Sequence, residues 1–268
     1  MPFLKPPARG ANAAAQRAAA FQEQFGGRHQ VLSAPDCKDR EPALAGATRP
    51  IAGAIYLPDA EVGDCNRCCH ELSRVLVENL GGTILYDTTA TGFQRRGNRV
   101  TAMECGAQII AGDVFVMAAG MDTLRQVLGK FAGKKPMTSV LGLSLTFPLG
   151  DTPPDLSVTD SAGKFVMVRL GDRLRVAGTA VFSDRLQINR EDVARLMAKA
   201  RALMPGAADY AAEPDVWVGS RPQTPDDLPM IGQAGADNLF VNAGHGSLGW
   251  TLAFGSAEIL LQKITAGR

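Results

Sequence analysis

Two short stretches hold the residues whose types and spacing could do chemistry. The first is Gly244-His245-Gly246-Ser247-Leu248-Gly249, a G-x-G-x-x-G run lying between strand-like residues 238–242 and helix-like residues 250–264. Glycines there let backbone approach a ligand closely, and a helix start offers free N–H groups and a positive dipole end. Used as a dinucleotide pyrophosphate turn, the run would need a second parallel strand and an acidic residue about 20 positions on. Residues 250–268 read instead as one helix with a stop at Gly267, so neither fits. What survives is a strand, a glycine loop and a helix start aimed at a ligand.

The second stretch is Gly219-Ser220-Arg221-Pro222-Gln223-Thr224-Pro225-Asp226. An arginine between a glycine turn and a proline is aimed by its backbone, and its rigid fork can hold a carboxylate through two parallel bonds. Taken alone, Arg221 could equally tie a loop to backbone carbonyls, and His245 could be a base or a packed ring. The sequence offers no Ser-His-Asp order, no paired carboxylates and no P-loop, and Asp226-Asp227 reads as a turn. Cys65-Asn66-Arg67-Cys68-Cys69-His70 has the wrong order for haem attachment and lacks a second ligand pair for zinc. The bland account is a helix capped by Asp64. It would bury Cys65, Cys68 or Cys69, Leu72 and Leu76 on one face and end at Gly81-Gly82.

The elements that must position these residues follow from pattern. Strands are expected at 83–87, 92–96, 99–105, 108–111 and 113–118, with turns at Gly97 and Gly106. Residues 113–120 form an apolar run ending in small residues, as a buried parallel strand does where it stops at a ligand. Antiparallel strands are expected at 139–147, 156–159, 164–170 and 174–181, then a helix over 190–204 stopped by Pro205-Gly206. Residues 12–25 read as an alanine-rich helix. This reading is plainer than a transit peptide for a start carrying Lys5, Arg9 and Arg17 without an acid.

The totals set the class. With 268 residues, 46% hydrophobic and a formal net charge of +1, the chain suits one large domain or two modest ones. It carries no electrostatic footprint for nucleic acid. No apolar run is long enough to span a bilayer, and five cysteines make no disulfide framework, so a cytoplasmic location is expected.

The runs GSRPQTPDDLPMIG (219–232) and NLFVNAGHGSLGWTLAFGS (238–256) closely resemble the C-terminal signature of FAD-dependent D-amino-acid dehydrogenases, in the D-amino-acid oxidase superfamily. Upstream landmarks resemble the same family in order: Arg40-Glu41-Pro42, Leu57-Pro58-Asp59, Val116 to Gly120, Ser144-Leu145-Thr146 and Arg173 to Gly178. The resemblance implies an α/β (α+β) fold, an incomplete FAD-binding Rossmann-like domain interleaved with an antiparallel-sheet substrate domain. Its blocks would be a helical substrate-domain portion at 1–50, an FAD-domain portion at 51–135, the antiparallel substrate domain at 136–218 and a C-terminal FAD-domain portion at 219–268.

By the same resemblance FAD would lie against Ala119, Gly120, Gly244, His245, Gly246, Ser247, Leu248, Gly249, Trp250 and Thr251. The helix start near Trp250 would face the N1–C2=O edge of the flavin, and Arg221 would grip the substrate carboxylate. The implied reaction is oxidation of a D-amino acid to a 2-oxo acid and ammonia, with no dedicated catalytic base, no metal and a respiratory electron acceptor. A peripheral seat at the inner face of the cell membrane is a further expectation. Leu141-Gly142-Leu143 stands where the family commonly has lysine-glycine-tyrosine, which leaves glycine oxidase or hydroxyproline dehydrogenase types as alternatives. Nothing before residue 50 resembles the family's phosphate-binding βαβ unit. The expectation is therefore that this chain needs a separate N-terminal segment to hold FAD.

Overall fold

The alternation of apolar and polar residues predicts strands, and the computed structural model forms them wherever a second strand completes the ladder. It describes residues 3–4, 20, 23–24, 26–121, 137–182 and 189–266. The alanine-rich stretch at 12–25 and the Gly267 stop lie, for the most part, outside these.

The chain divides into two units, one of residues 1–64, 142–180 and 187–219, the other of residues 65–141, 181–186 and 220–268. It opens with strands β1 (Phe3–Leu4) and β2 (Gln30–Ser33), helix α1 (Ala34–Arg40), a 3-10 turn at Pro42–Leu44 and strand β3 (Gly53–Tyr56). Helix α2 (Cys65–Glu78) and strands β4 (Gly92–Arg96), β5 (Arg99–Cys105), β6 (Gln108–Ala111) and β7 (Phe115–Met117) come next. Strands β8 (Thr138–Pro148), β9 (Val158–Asp160), β10 (Phe165–Leu170) and β11 (Arg173–Phe182) follow, then helix α3 (Arg190–Leu203) and strand β12 (Asp215–Gln223). Strands β13 (Met230–Ala236) and β14 (Leu239–Ala243), a 3-10 turn at Gly246–Leu248 and helix α4 (Gly249–Ala266) end it.

The six-stranded sheet runs β1-β9-β10-β11-β8-β12. In the first unit, Phe165 and Met167 of β10 alternate inward and pair with Gly178 and Val176 of β11. Leu196, Ala200 and Leu203 form the buried face of α3, at the three- and four-residue spacing of a helix, and join them in one core. Glu41 is buried there and accepts N–H bonds from Ala43, Asp155 and Leu156 at 3.1, 2.9 and 2.8 Å. Its carboxylate thereby satisfies three backbone donors.

In the second unit, β7 and β14 are parallel, Phe115 opposite Leu239 and Met117 opposite Val241, and β13 adds an antiparallel edge. A separate antiparallel sheet, β4-β5-β6, packs Val100, Phe93 and Met103 on the same core, with Phe93 edge-on to Phe115 at 5.9 Å. Asn238 locks these parts together. Its Oδ1 accepts from Val100 N at 2.9 Å, and its Nδ2 donates to the carbonyls of Val100 and Asp113, both at 2.8 Å. Asn238 is 3% exposed, so Asn238→Ala would strip this partner from the Val100 N–H and carbonyl and leave the Asp113 carbonyl only Arg99 Nη2, at 3.4 Å. At about 1–3 kcal/mol for each unsatisfied group, offset where the site relaxes, the loss should be roughly 2–4 kcal/mol in denaturant unfolding. A change below about 0.5 kcal/mol would count against this lock.

Three expectations are corrected. Residues 83–87 form no strand, because Leu85 and Tyr86 face outward and no ladder reaches them among the described residues. The 156–159 strand is instead Val158–Asp160, its register set by pairing with β10. The cysteine helix forms but buries none of its residues: Leu72 is 50% exposed, Leu76 41%, and Cys65 and Cys69 are exposed. Its apolar face is present but stays largely exposed. No described helix is long and apolar enough to cross a membrane.

Candidate functional site

The site is built where two parallel strands end together. Met117 stands opposite Val241, so Ala119-Gly120 and Gly244-His245 leave the sheet side by side at its C-terminal edge. In open α/β sheets this edge is where ligands bind. Gly120, Gly244 and Gly246 have φ of 65°, 83° and 53°, the left-handed region that favours glycine. Ala119 is exposed and Gly120 half-buried, so this strand end is open.

The two conspicuous stretches are brought together by one backbone bridge. Gln223, at the end of β12, pairs antiparallel with His245. The space a Cβ on Gly246 would occupy is filled by the Gln223 side-chain amide, itself bonded to Asp227. Thr224 is buried, donates to the Leu228 carbonyl at 3.0 Å and presses its methyl toward Gly244. Asp226 and Asp227 lie in the turn that follows. Arg221 thus sits two residues from the bridge to the glycine loop.

The setting of Arg221 differs from the expected turn. It lies within β12, the last strand of its sheet, where the lack of an N–H on Pro222 is tolerated. The neighbouring Ser220 Oγ meets Ser139 Oγ at 2.6 Å. Arg221 is half-buried, and burial pushes its guanidinium down from the ordinary value, yet it stays charged at neutral pH. No acidic or hydrogen-bonding partner meets that guanidinium among the described residues, whereas Arg173, Arg49 and Arg28 each have an aspartate. A half-buried, unpaired arginine fork is suited to an anionic ligand.

The loop itself turns helical one residue earlier than expected. The 3-10 turn at Gly246–Leu248 closes with Leu248 N to His245 O at 3.0 Å and runs directly into α4 at Gly249. Ser247, Leu248, Trp250 and Thr251 are exposed, leaving the N–H groups of this helix start open to a ligand. His245 is half-buried, and burial pushes its imidazole down from the ordinary range, so the neutral ring prevails at neutral pH. Its Nε2 meets Ser256 Oγ of α4 at 2.9 Å. Sequence reading missed Ser256 and Gln223. The strand period could have flagged Gln223, which shares a face with Arg221, but no local signal connects position 256 to position 245. Asn242, on β14 just before the loop, carries a buried Oδ1 without a partner. Among the described residues no group of three or more His, Cys, Asp or Glu side chains could hold a metal.

The glycines make different demands. A Cβ on Gly244 would lie 2.7 Å from Thr224 Cγ2 and 3.2 Å from Met137 Sδ, besides occupying a left-handed φ. Gly249 has φ −55°, and its Cβ would meet only His245 Cβ, at an ordinary 3.5 Å. Gly244→Ala should therefore cost at least about 2 kcal/mol in unfolding free energy, from left-handed strain plus overpacking. Gly249→Ala should stay within about 0.5 kcal/mol of the parent. Equal costs at the two positions would refute this reading of the loop.

An open helix start on a glycine loop, near an arginine fork that lacks an acidic partner among the described residues, suits an anionic ligand. Comparison with known proteins gives that ligand a name. The family model for FAD-dependent oxidoreductases matches residues 3–263. A D-amino acid dehydrogenase of Vibrio vulnificus is 37% identical over 251 residues, 92% of this chain and 59% of that protein. D-amino acid dehydrogenase 2 of Ralstonia nicotianae is 38% identical over 264 residues, 94% of this chain and 61% of its own. The chain thus spans about three fifths of these relatives. Among solved structures, glycine oxidase of Bacillus cereus superposes with a TM-score of 0.87 at 18% identity, over 100% of this chain and 72% of that one.

Proposed function

The chain belongs to the FAD-dependent oxidoreductase family, and from that premise we propose that it forms part of a flavoenzyme that deaminates D-amino acids oxidatively. The observation that carries the substrate class is half-buried Arg221 near the glycine loop, its guanidinium without an acidic or hydrogen-bonding partner among the described residues. The printed names of the Vibrio and Ralstonia relatives support the D-amino-acid choice.

The residues present fit the ring portion of FAD. Gly244 and Gly246 hold the loop in left-handed backbone that packs against Thr224 and Gln223. Ser247, Leu248, Trp250 and Thr251 are exposed, so the helix start leaves N–H groups open to the ring. Residues Ala119, Gly120 and 244–251 would hold that portion. When bound, FAD supplies a two-electron acceptor for the hydride leaving the substrate Cα. Arg221 would bind the carboxylate through its fork and so fix which face of Cα is presented. The positive end of the helix would favour negative charge on whatever it faces, by about 0.3–1 kcal/mol when exposed. A substrate amine arriving neutral needs no residue to take its proton before oxidation. Water then hydrolyses the released imine to a 2-oxo acid and ammonia. A respiratory acceptor and a seat at the cytoplasmic face of the membrane belong to the same proposal.

The test is a panel of D- and L-amino acids, glycine and proline derivatives, offered to the flavin-loaded protein with an artificial dye and, separately, with oxygen. The expected result is dye reduction with D-amino acids, one 2-oxo acid and one ammonia formed per two electrons. Turnover confined to glycine or to hydroxyproline would replace the reading with one of the alternative amine-oxidising types. Turnover of none would remove it.

A further inference from the structure

The imidazole of His245 stands on the glycine loop with two nitrogens of different fate. Nε2 points back to Ser256 Oγ at 2.9 Å, while Nδ1 has no partner among the described residues and is not among the fully buried, unsatisfied atoms. Ser256 lies about two turns into α4 and is one of only two buried residues of that helix, the other being Leu260. A serine in a helix ordinarily turns its hydroxyl to the carbonyl four residues back, as Thr265 does to Leu261. Ser256 makes no such bond; its side chain has only the imidazole.

That isolation decides who donates. Ser256 is 4% exposed, so its O–H must find an acceptor in the protein, and Nε2 is the one in reach. A hydroxyl that accepted from Nε2–H would leave its own proton buried and unpaired. Nε2 is therefore the acceptor, and the ring proton resides on Nδ1.

We propose that Ser256 is a positioning residue that holds His245 as the neutral Nδ1–H tautomer, so that the loop presents an additional outward hydrogen-bond donor to an acceptor atom of its ligand. The inference rests on the flavin reading only for the identity of that ligand. The donor itself adds to the N–H groups of the helix start and fixes the ring plane by anchoring its far nitrogen. It also couples the loop to the interior of α4, since the anchor lies within the helix the loop starts.

Nitrogen NMR of protein labelled at its three histidines tests this. Without ligand, the His245 line should report an unprotonated Nε2 and a protonated Nδ1. Ser256→Ala should shift the tautomer ratio toward Nε2–H by about five-fold or more, the effect of losing one hydrogen bond. Ser256→Thr keeps the hydroxyl and should retain the parental tautomer. Unchanged signals from His29 and His70 in the Ala variant would show that the fold persists. If the Ala variant does not fold, the parent and Thr spectra still decide the matter. An Nε2–H tautomer in the parent, or an unchanged ratio in a folded Ala variant, overturns the proposal. Loading FAD in the presence of a complementing strand–glycine loop–helix segment should then move the Nδ1 resonance in the parent. A still Nδ1 line with the predicted tautomer would count against the flavin contact alone.

Discussion

Arg221→Ala is expected to cost the flavin-loaded protein roughly two to four powers of ten in kcat/KM while leaving flavin content unchanged. The arithmetic is that of the fork. Two charge-assisted bonds to a carboxylate contribute about 1.5–3 kcal/mol each, and every 1.4 kcal/mol is a factor of ten. No partner within the described residues is stranded by the change, since the guanidinium meets neither an acid nor a hydrogen-bonding partner there, so the loss should fall on substrate and not on folding. Arg221→Lys should recover little. A lysine offers a point charge and cannot reproduce two parallel bonds, so the amino acid would sit with its Cα misaligned. The measurement is steady-state dye reduction with a D-amino acid, alongside the visible flavin spectrum and the melting temperature of each variant. An Ala variant within a few-fold of the parent would take Arg221 out of the site. Loss of flavin or a melting temperature lower by several degrees would assign it a structural role instead.

The loop could be read from the sequence because its signals are local. Strand, glycines and helix follow one another within 30 residues, and the structure shifts their ends by only one or two residues, to Leu239–Ala243 and Gly249–Ala266. Gly244 and Gly246 are required by left-handed φ and by packed neighbours, whereas Gly249 completes the spelling of the fingerprint without a structural demand of its own. The setting of Arg221 was harder to read. Glycine and proline on either side signal a turn, yet the chain there extends as an edge strand, because edge position overrides the local preference. The cysteine helix shows the opposite limit. Its period correctly predicts a helix with one apolar face, but period says nothing about what covers that face. Long-range pairings such as Ser256 with His245, or Asn238 with Val100, depend on tertiary contacts that no spacing rule encodes.

The polypeptide of residues 1–268, taken by itself, is expected not to retain FAD through gel filtration. The G-x-G-x-x-G pattern occurs once in it, at 244–249, and that loop offers the ring portion the exposed start of α4. The described residues contain no second glycine loop that could hold the diphosphate through N–H bonds and a helix dipole together with an acid for the ribose. Such bonds contribute about 1.5–3 kcal/mol each, so lacking a few lowers affinity by several powers of ten. The exposed surface of the second unit argues in the same direction. Strand β7 is the last in its sheet, with Val116 44% exposed, and the apolar side chains of α2 and α4 stand open, Phe254 at 65% and Leu261 at 59%. A strand with one edge open among the described residues, in a unit with exposed apolar helix faces, could receive a further strand and helix. The D-amino acid dehydrogenases it resembles are longer, this chain spanning 59% of the Vibrio protein. Supplying a strand–glycine loop–helix segment of that family's type, in cis or as a separate polypeptide, should restore a yellow protein with stoichiometric flavin. The experiment is to purify residues 1–268, add FAD, pass the mixture through gel filtration and record the visible spectrum, with and without the added segment. A chain that holds one flavin unaided and reduces a dye with D-alanine would sink this prediction. It would also mean that the loop, the helix start and Arg221 suffice for both cofactor and substrate.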